Sequence, residues 1–142
     1  MDRYWNMPEL TAETIKDGWF YSGDLGCMDQ EGYVYIVDRE KDMIVSGAIN
    51  IYPREVEEVL FKHPAIVEAS VIGLPDSDWG EKVMALVVLK PDAEVSEEEL
   101  ITYTKEHLAT YKAPKSVVFV DELPKGPTGK ILKRVLRDQY SQ

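Results

Sequence analysis

Pro127-Thr128-Gly129-Lys130 places one lysine at the exit of a turn stiffened by Pro124, Gly126, Pro127 and Gly129. A cation held on a stiff backbone can meet negative charge that develops on a phosphate or carboxylate oxygen. The stretch is not a Walker A loop. That motif needs a glycine five residues before its last glycine and Ser or Thr after the lysine. Those positions hold Pro124 and Ile131. Lys130 reads as the start of a helix over 131–140, where a cation opposes the helix dipole and a structural role favours Asp or Glu. A disfavoured charge in a stiff turn invites a functional explanation.

Three upstream segments also carry candidate chemistry. In Tyr21-Ser22-Gly23-Asp24-Leu25-Gly26, a carboxylate between glycines can accept two hydroxyl groups, as from a ribose cis-diol. Gly-Asp is also ordinary turn chemistry, and taken alone the turn leads. The run Asp38-Arg39-Glu40-Lys41-Asp42 reads alone as a solvated turn. Its functional reading is a hinge, with Arg39 able to reach a sugar or phosphate. Ser46-Gly47-Ala48-Ile49-Asn50-Ile51-Tyr52-Pro53 reads equally as a loop into the next helix or as a place where a ligand approaches the backbone.

The elements that must hold these residues are short. Residues 6–9 read as a turn and 11–16 as a brief helix. This start buries little by itself, which marks a piece of something larger. Residues 19–28 read as extended. Asp29-Gln30-Glu31-Gly32 is a hairpin turn before a strand at 33–37. Pro53 suits the first position of a helix, and Val56, Val59, Leu60 and His63 line one face of it up to Pro64. Strands follow at 66–73 and 83–89, joined by a loop at 74–82. Ser96 and Glu99 form a capping box for a helix to 108. A last strand at 117–120 precedes the basic helix. The class is α+β: a front β-hairpin, then a small sheet of about three strands packed with about three helices.

Composition narrows the function. The chain has 142 residues and a net charge of -10, which disfavours a nucleic-acid partner. The stretch from Lys112 is locally basic, suiting a small anion better than a polymer. No apolar run reaches the roughly 20 residues of a transmembrane helix. The first residues lack a signal-peptide pattern. One cysteine, Cys27, cannot form an internal disulfide and fits a cytoplasmic location. His63 and His107 have no metal-ligand spacing, so no metal residues are assigned.

Together the segments resemble the adenylate-forming superfamily: acyl-CoA synthetases, adenylation domains of peptide synthetases and luciferases. The resemblance rests on Gly18-Trp19…Ser22-Gly23-Asp24-Leu25, then Asp38-Arg39-x-Lys41-Asp42-x-Ile44, then Asn50-Ile51-Tyr52-Pro53-x-Glu55-Val56-Glu57, then Pro124-x-x-x-x-Gly129-Lys130. It implies the tail of a large N-terminal domain at 1–38, a hinge at 39–41 and a mobile C-terminal lid at 42–142. It implies an AMP-dependent ligase that adenylates a carboxylic acid with ATP, then forms the coenzyme A thioester. Asp24 and Arg39 match ribose contacts, Lys41 the hinge residue and Lys130 the adenylation lysine. Ser46, Gly47 and Ala48 match the loop at the pantetheine tunnel. Trp79 and Tyr111 match coenzyme A contacts of some relatives. The family has a second glycine where this chain has Ala48, and a polar residue is common at Ile49.

The resemblance further implies Mg²⁺ arriving with ATP, a missing N-terminal domain as partner, and a lysine acetyltransferase acting on Lys130. The form Asn50–Glu57 is closer to fatty-acid–CoA ligases than to peptide-synthetase modules. The alternatives are a peptide-synthetase lid and a stand-alone binding or regulatory module of the same fold.

Overall fold

Pro8 stands at the first position of a helix, where its missing N–H would have had no partner. In the computed structural model, which describes residues 1–141, this helix is α1 (Pro8–Thr14). It begins within the expected turn, because Pro8 starts a helix here instead of breaking the chain. Two short strands follow, β1 (Ile15–Lys16) and β2 (Trp19–Phe20), paired antiparallel. The front hairpin is β3 (Asp24–Met28) with β4 (Val34–Arg39). Asp29 closes it. Its carboxylate accepts the N–H groups of Glu31 and Tyr33 at 2.9 and 3.0 Å and the Tyr35 hydroxyl at 2.9 Å. The Tyr33 amide, foremost among these donors, holds the Asp29 carboxyl below the usual aspartate range.

The chain divides into two units, 1–41 and Asp42 onward. No residue of the first is buried, and it exposes aromatic and aliphatic side chains such as Trp19 at 74% and Ile36 at 56%.

The second unit is built on a five-stranded sheet. Its elements are β5 (Ile44–Ser46), β6 (Ile49–Ile51), α2 (Pro53–Phe61), β7 (Ile66–Asp76), β8 (Gly80–Leu89), α3 (Glu97–His107), β9 (Ser116–Phe119) and α4 (Lys133–Tyr140). The order is β6-β5-β8-β7, with β9 parallel to β8. Side chains alternate across a strand, so neighbours in β7 serve opposite faces. Val71 joins Ile44, Val56, Leu60 and Leu100 on one face, under α2 and α3. Ile72 and Leu74 join Leu86, Leu123 and Leu136 on the other, under α4. The apolar run at 71–74 of β7 is what a strand covered on both faces requires. Each such side chain contributes about 1.5–3 kcal/mol on burial.

The α+β class, the front hairpin and the α3 capping box hold. Ser96 Oγ accepts the Glu99 N–H at 3.2 Å, and Glu99 Oε2 accepts the Ser96 N–H at 2.7 Å. The Ser96 amide, then its hydroxyl, holds the Glu99 carboxyl below its ordinary range. Three boundaries differ. The expected loop at 74–82 is a tight hairpin: Asp76 accepts the N–H groups of Asp78 and Trp79 at 3.0 and 3.1 Å, which lets β7 and β8 pair to their ends. Five strands form where about three were expected, because 44–51 folds into the hairpin β5–β6. The last helix starts at Lys133, two residues later than expected.

Candidate functional site

Lys130 belongs to a hairpin. Residues Lys125 and Ile131 form an antiparallel bridge. The Gly126 N–H donates to Lys130 O at 2.8 Å, the Gly129 N–H to Gly126 O at 2.9 Å, and the Leu132 N–H to Pro124 O at 2.8 Å. These bonds tie down both arms and delay the helix to Lys133. Lys130 therefore does not sit at the helix N-terminus, and the expected conflict with the helix dipole falls instead on Lys133. There an ion pair with Glu57 at 2.7 Å, both side chains 15% exposed, offsets it. Lys125 pairs with Glu68 of β7. Lys130 is exposed and, among the described residues, has no ion-pair partner. The result is a free ammonium group on an immobilised backbone.

Within Ser46-Gly47-Ala48, Gly47 and Ala48 form a two-residue hairpin turn, since Ser46 pairs with Ile49. Gly47 and Ala48 have φ of 57° and 64°. Positive φ at both central positions suits the right-handed twist of the flanking strands. The Gly47 N–H donates to Trp79 O at 2.8 Å. A Cβ on Gly47 would lie 2.7 Å from the Trp79 ring. The indole thus lies directly on the turn, and Lys115 Nζ stands 5.7 Å from its ring centre. This places a half-exposed aromatic ring, a cation and a tight turn together. Lys115 escaped the sequence reading, where it was one lysine of a basic stretch. Tyr111 sits in a 3-10 turn, Thr110–Lys112, that is held to α2 by Lys112 on both carboxylate oxygens of Glu55 at 2.7 Å. Among the described residues no hydrogen bond or ring contact ties Tyr111 to Trp79.

Alanine at φ 64° is strained, since its Cβ crowds the following carbonyl. Ala48→Gly should raise stability by about 1 kcal/mol. Urea unfolding checks this: the midpoint should rise with an unchanged slope. A lower midpoint would show that the turn does not strain Ala48.

Asp24 and Arg39 face each other across the β3–β4 ribbon. Arg39 Nε meets Asp24 Oδ1 at 2.8 Å, and Arg39 Nη1 donates to Ser22 O at 3.2 Å. The guanidinium orients the carboxylate and leaves Oδ2 for another donor. Both line an open groove of the first unit with Tyr21, Ser22 and Lys41. Lys41 is the last residue of that unit and the middle of a 3-10 turn, Glu40–Asp42. The Glu40 N–H on one side donates to Gly23 O at 2.9 Å, and Asp42 on the other pairs with Arg137 of α4 at 2.9 Å. Lys41 is thus the exposed residue between two anchored neighbours.

Within the second unit the two candidate features stand far apart. The Lys130 hairpin is anchored at Glu68, near the start of β7. The 47–48 turn adjoins the other end, where Ser46 pairs with Gly80 and Gly80 with Asp76. From Glu68 to Asp76 the strand rises roughly 26 Å. Among the described residues no group of three His, Cys, Asp or Glu is placed to hold a metal ion, and no helix is long and apolar enough to cross a membrane.

This arrangement has known counterparts. The family model of the AMP-binding enzyme C-terminal domain matches residues 55–130. Long-chain-fatty-acid–CoA ligase FadD13 of Mycobacterium tuberculosis is 51% identical over 99% of this chain and 28% of its own length. The 2-succinylbenzoate–CoA ligase of Bacillus mycoides is 48% identical over 94% of this chain and 27% of its own length. Among solved structures, ATP-bound MatB from Rhodopseudomonas palustris matches with TM-score 0.90 at 42% identity, covering 99% of this chain and 28% of that one. Apo MatB matches with TM-score 0.74 at 43% identity and the same coverage. The chain spans less than a third of the length of these relatives, and it belongs to the AMP-binding enzyme C-terminal domain family.

Proposed function

We propose that the chain is the C-terminal part of an ATP-dependent acyl-CoA synthetase, with residues 42–142 acting as a mobile lid. The observation that carries this reading is the roughly 26 Å of strand between the anchor of the Lys130 hairpin and the 47–48 turn. Two features so far apart on one body cannot serve one reacting carbon in a single orientation. They can serve it in turn if the body rotates. The likeness of the chain to MatB in both its ATP-bound and apo forms supports an ATP-using ligase. The first unit supports a larger neighbour: with no buried residue it needs another body to cover its aromatic side chains.

Each residue then has a task. Asp24 Oδ2 accepts a ribose hydroxyl of ATP, while Arg39 holds the carboxylate and adds its own contact. Lys130 bridges the attacking carboxylate and the α-phosphate as charge builds on their oxygens. The acid displaces pyrophosphate and becomes an acyl-adenylate. Rotation at Lys41 then presents Ser46, Gly47 and Ala48 to the pantetheine arm, with Trp79 and Lys115 near the coenzyme A nucleotide and Tyr111 at its margin. The thiol attacks the acyl carbon, and AMP leaves. Mg²⁺ would arrive with ATP and would offset phosphate charge, with no residue of this chain assigned to hold it. The substrate class proposed is a fatty acid. An exposed, unpaired Lys130 also suits a lysine acetyltransferase, and acetylation would remove the charge that adenylation needs.

The isolated 142 residues should release no pyrophosphate from ATP and a fatty acid, whereas the longer enzyme should. A pyrophosphate assay across fatty and aromatic acids checks both statements. Turnover by the 142 residues alone, or preference for aromatic acids in the longer enzyme, would contradict them.

A further inference from the structure

We infer that Arg137 is a positioning residue that links the hinge to Lys130; this rests on the lid reading above. Arg137 Nη2 donates to Asp42 Oδ1 at 2.9 Å, with the side chains 25% and 13% exposed. Asp42 is the residue next to Lys41, so the contact joins the first residue beyond the hinge to α4 across 95 positions of sequence. One helical turn earlier, Lys133 meets Glu57 Oε1 at 2.7 Å. That same oxygen accepts the Val71 N–H of β7 at 2.8 Å. Positions i and i+4 share one helix face. Two shielded ion pairs on that face thus clamp α4 to the edge of the sheet and to the hinge, while Leu136 is buried in the core beneath. The backbone leading into α4 is the return arm of the Lys130 hairpin, closed by the Leu132 N–H on Pro124 O.

The consequence is mechanical. When backbone angles change at Lys41, Asp42 is held against α4, so rotation cannot be absorbed by slack after the hinge. The hinge angle is passed to α4 and to Lys130. Without the Arg137 contact, α4 and the hairpin leading into it lose their tie to the hinge and the position of Lys130 becomes imprecise, while the 47–48 turn still follows Asp42 directly through β5. The thioester step does not use Lys130 and should tolerate that imprecision. A contact that only stabilised the lid would affect both steps alike.

In the longer enzyme, Arg137→Gln should slow pyrophosphate release about tenfold or more, since misplacement of a catalytic group by about 1 Å is that costly. Thioester formation from supplied acyl-adenylate should change little. Arg137→Lys keeps a cation on Asp42 and should restore most of the lost rate. A parallel fall in both half-reactions, or no change in either, would overturn the inference. Lys130→Ala serves as the reference. If it fails to act selectively, the error lies in the role given to Lys130, and the linkage is judged on the 142-residue chain alone. There, trypsin should cut after Lys41 several-fold faster in Arg137→Gln and at the original rate in Arg137→Lys. Unchanged cleavage in Arg137→Gln would refute the clamp itself.

Discussion

Lys130→Ala should slow pyrophosphate release by the longer enzyme by roughly 10²–10³, the loss typical of removing one group aimed at transition-state charge. Thioester formation from supplied acyl-adenylate should be nearly unchanged. The reason lies in how the lysine is held. Its backbone is closed by three hydrogen bonds between Pro124 and Leu132. The hairpin is anchored by Lys125 on Glu68. No acidic residue among those described neutralises Lys130, so its charge is available to a ligand. The neighbouring cations differ: Lys125, Lys133 and Arg137 each have a carboxylate partner. Lys125→Ala should therefore cost far less than Lys130→Ala. Single-turnover assays of each half-reaction check the pair. An equal loss of both half-reactions in Lys130→Ala would mean that the lysine supports the lid instead of the chemistry.

Gly47→Val should do the opposite. A Cβ at position 47 would stand 2.7 and 3.0 Å from two carbons of the Trp79 ring. The ring must move, and its contact with Lys115 moves with it. Valine also resists the φ of 57° found there. The substitution sits on a solvent-exposed turn, so the body of the second unit should still fold. Its local cost should be about 2 kcal/mol from the strained backbone. With the indole displaced, thioester formation should fall by about tenfold to a hundredfold, because a small misplacement of a positioning surface has that effect. Pyrophosphate release should persist. A selective loss of pyrophosphate release instead would mean that the turn belongs to the adenylation step.

Much of this was legible in the sequence where local chemistry decides structure. Ser96 and Glu99 announce their helix because a capping box satisfies its own donors. Asp29 and Gly32 announce the front hairpin for a similar reason. Pro53 marks the start of α2. The misread boundaries all depend on bonds between residues that sequence spacing does not reveal. Ile131 and Leu132 have helical spacing with Val135 and Leu136, yet the bond from the Leu132 N–H to Pro124 O holds them outside the helix. The stretch 74–82 looks like a loop because Pro75, Asp76 and Asp78 are poor strand formers. The Asp76 carboxylate nevertheless closes a tight turn there. The β5–β6 hairpin lacks the usual Asn-Gly or Asp-Gly signal, since alanine occupies a positive-φ position.

The candidate residues were legible one by one, and their grouping was not. Asp24 and Arg39 carry no sequence sign that they pair across a ribbon. Trp79 entered only through the resemblance, and only the fold shows its ring on Gly47. Lys115 and Arg137 are ordinary lysine and arginine until their partners are seen.

The ratio of pyrophosphate release to thioester formation, measured in Lys130→Ala and Gly47→Val of the proposed longer enzyme, tests whether the second unit uses one end for each half-reaction. The ratio should fall by roughly 10² or more in the first variant and rise about tenfold or more in the second. Movement of both ratios in the same direction would contradict a lid that uses one end for each half-reaction.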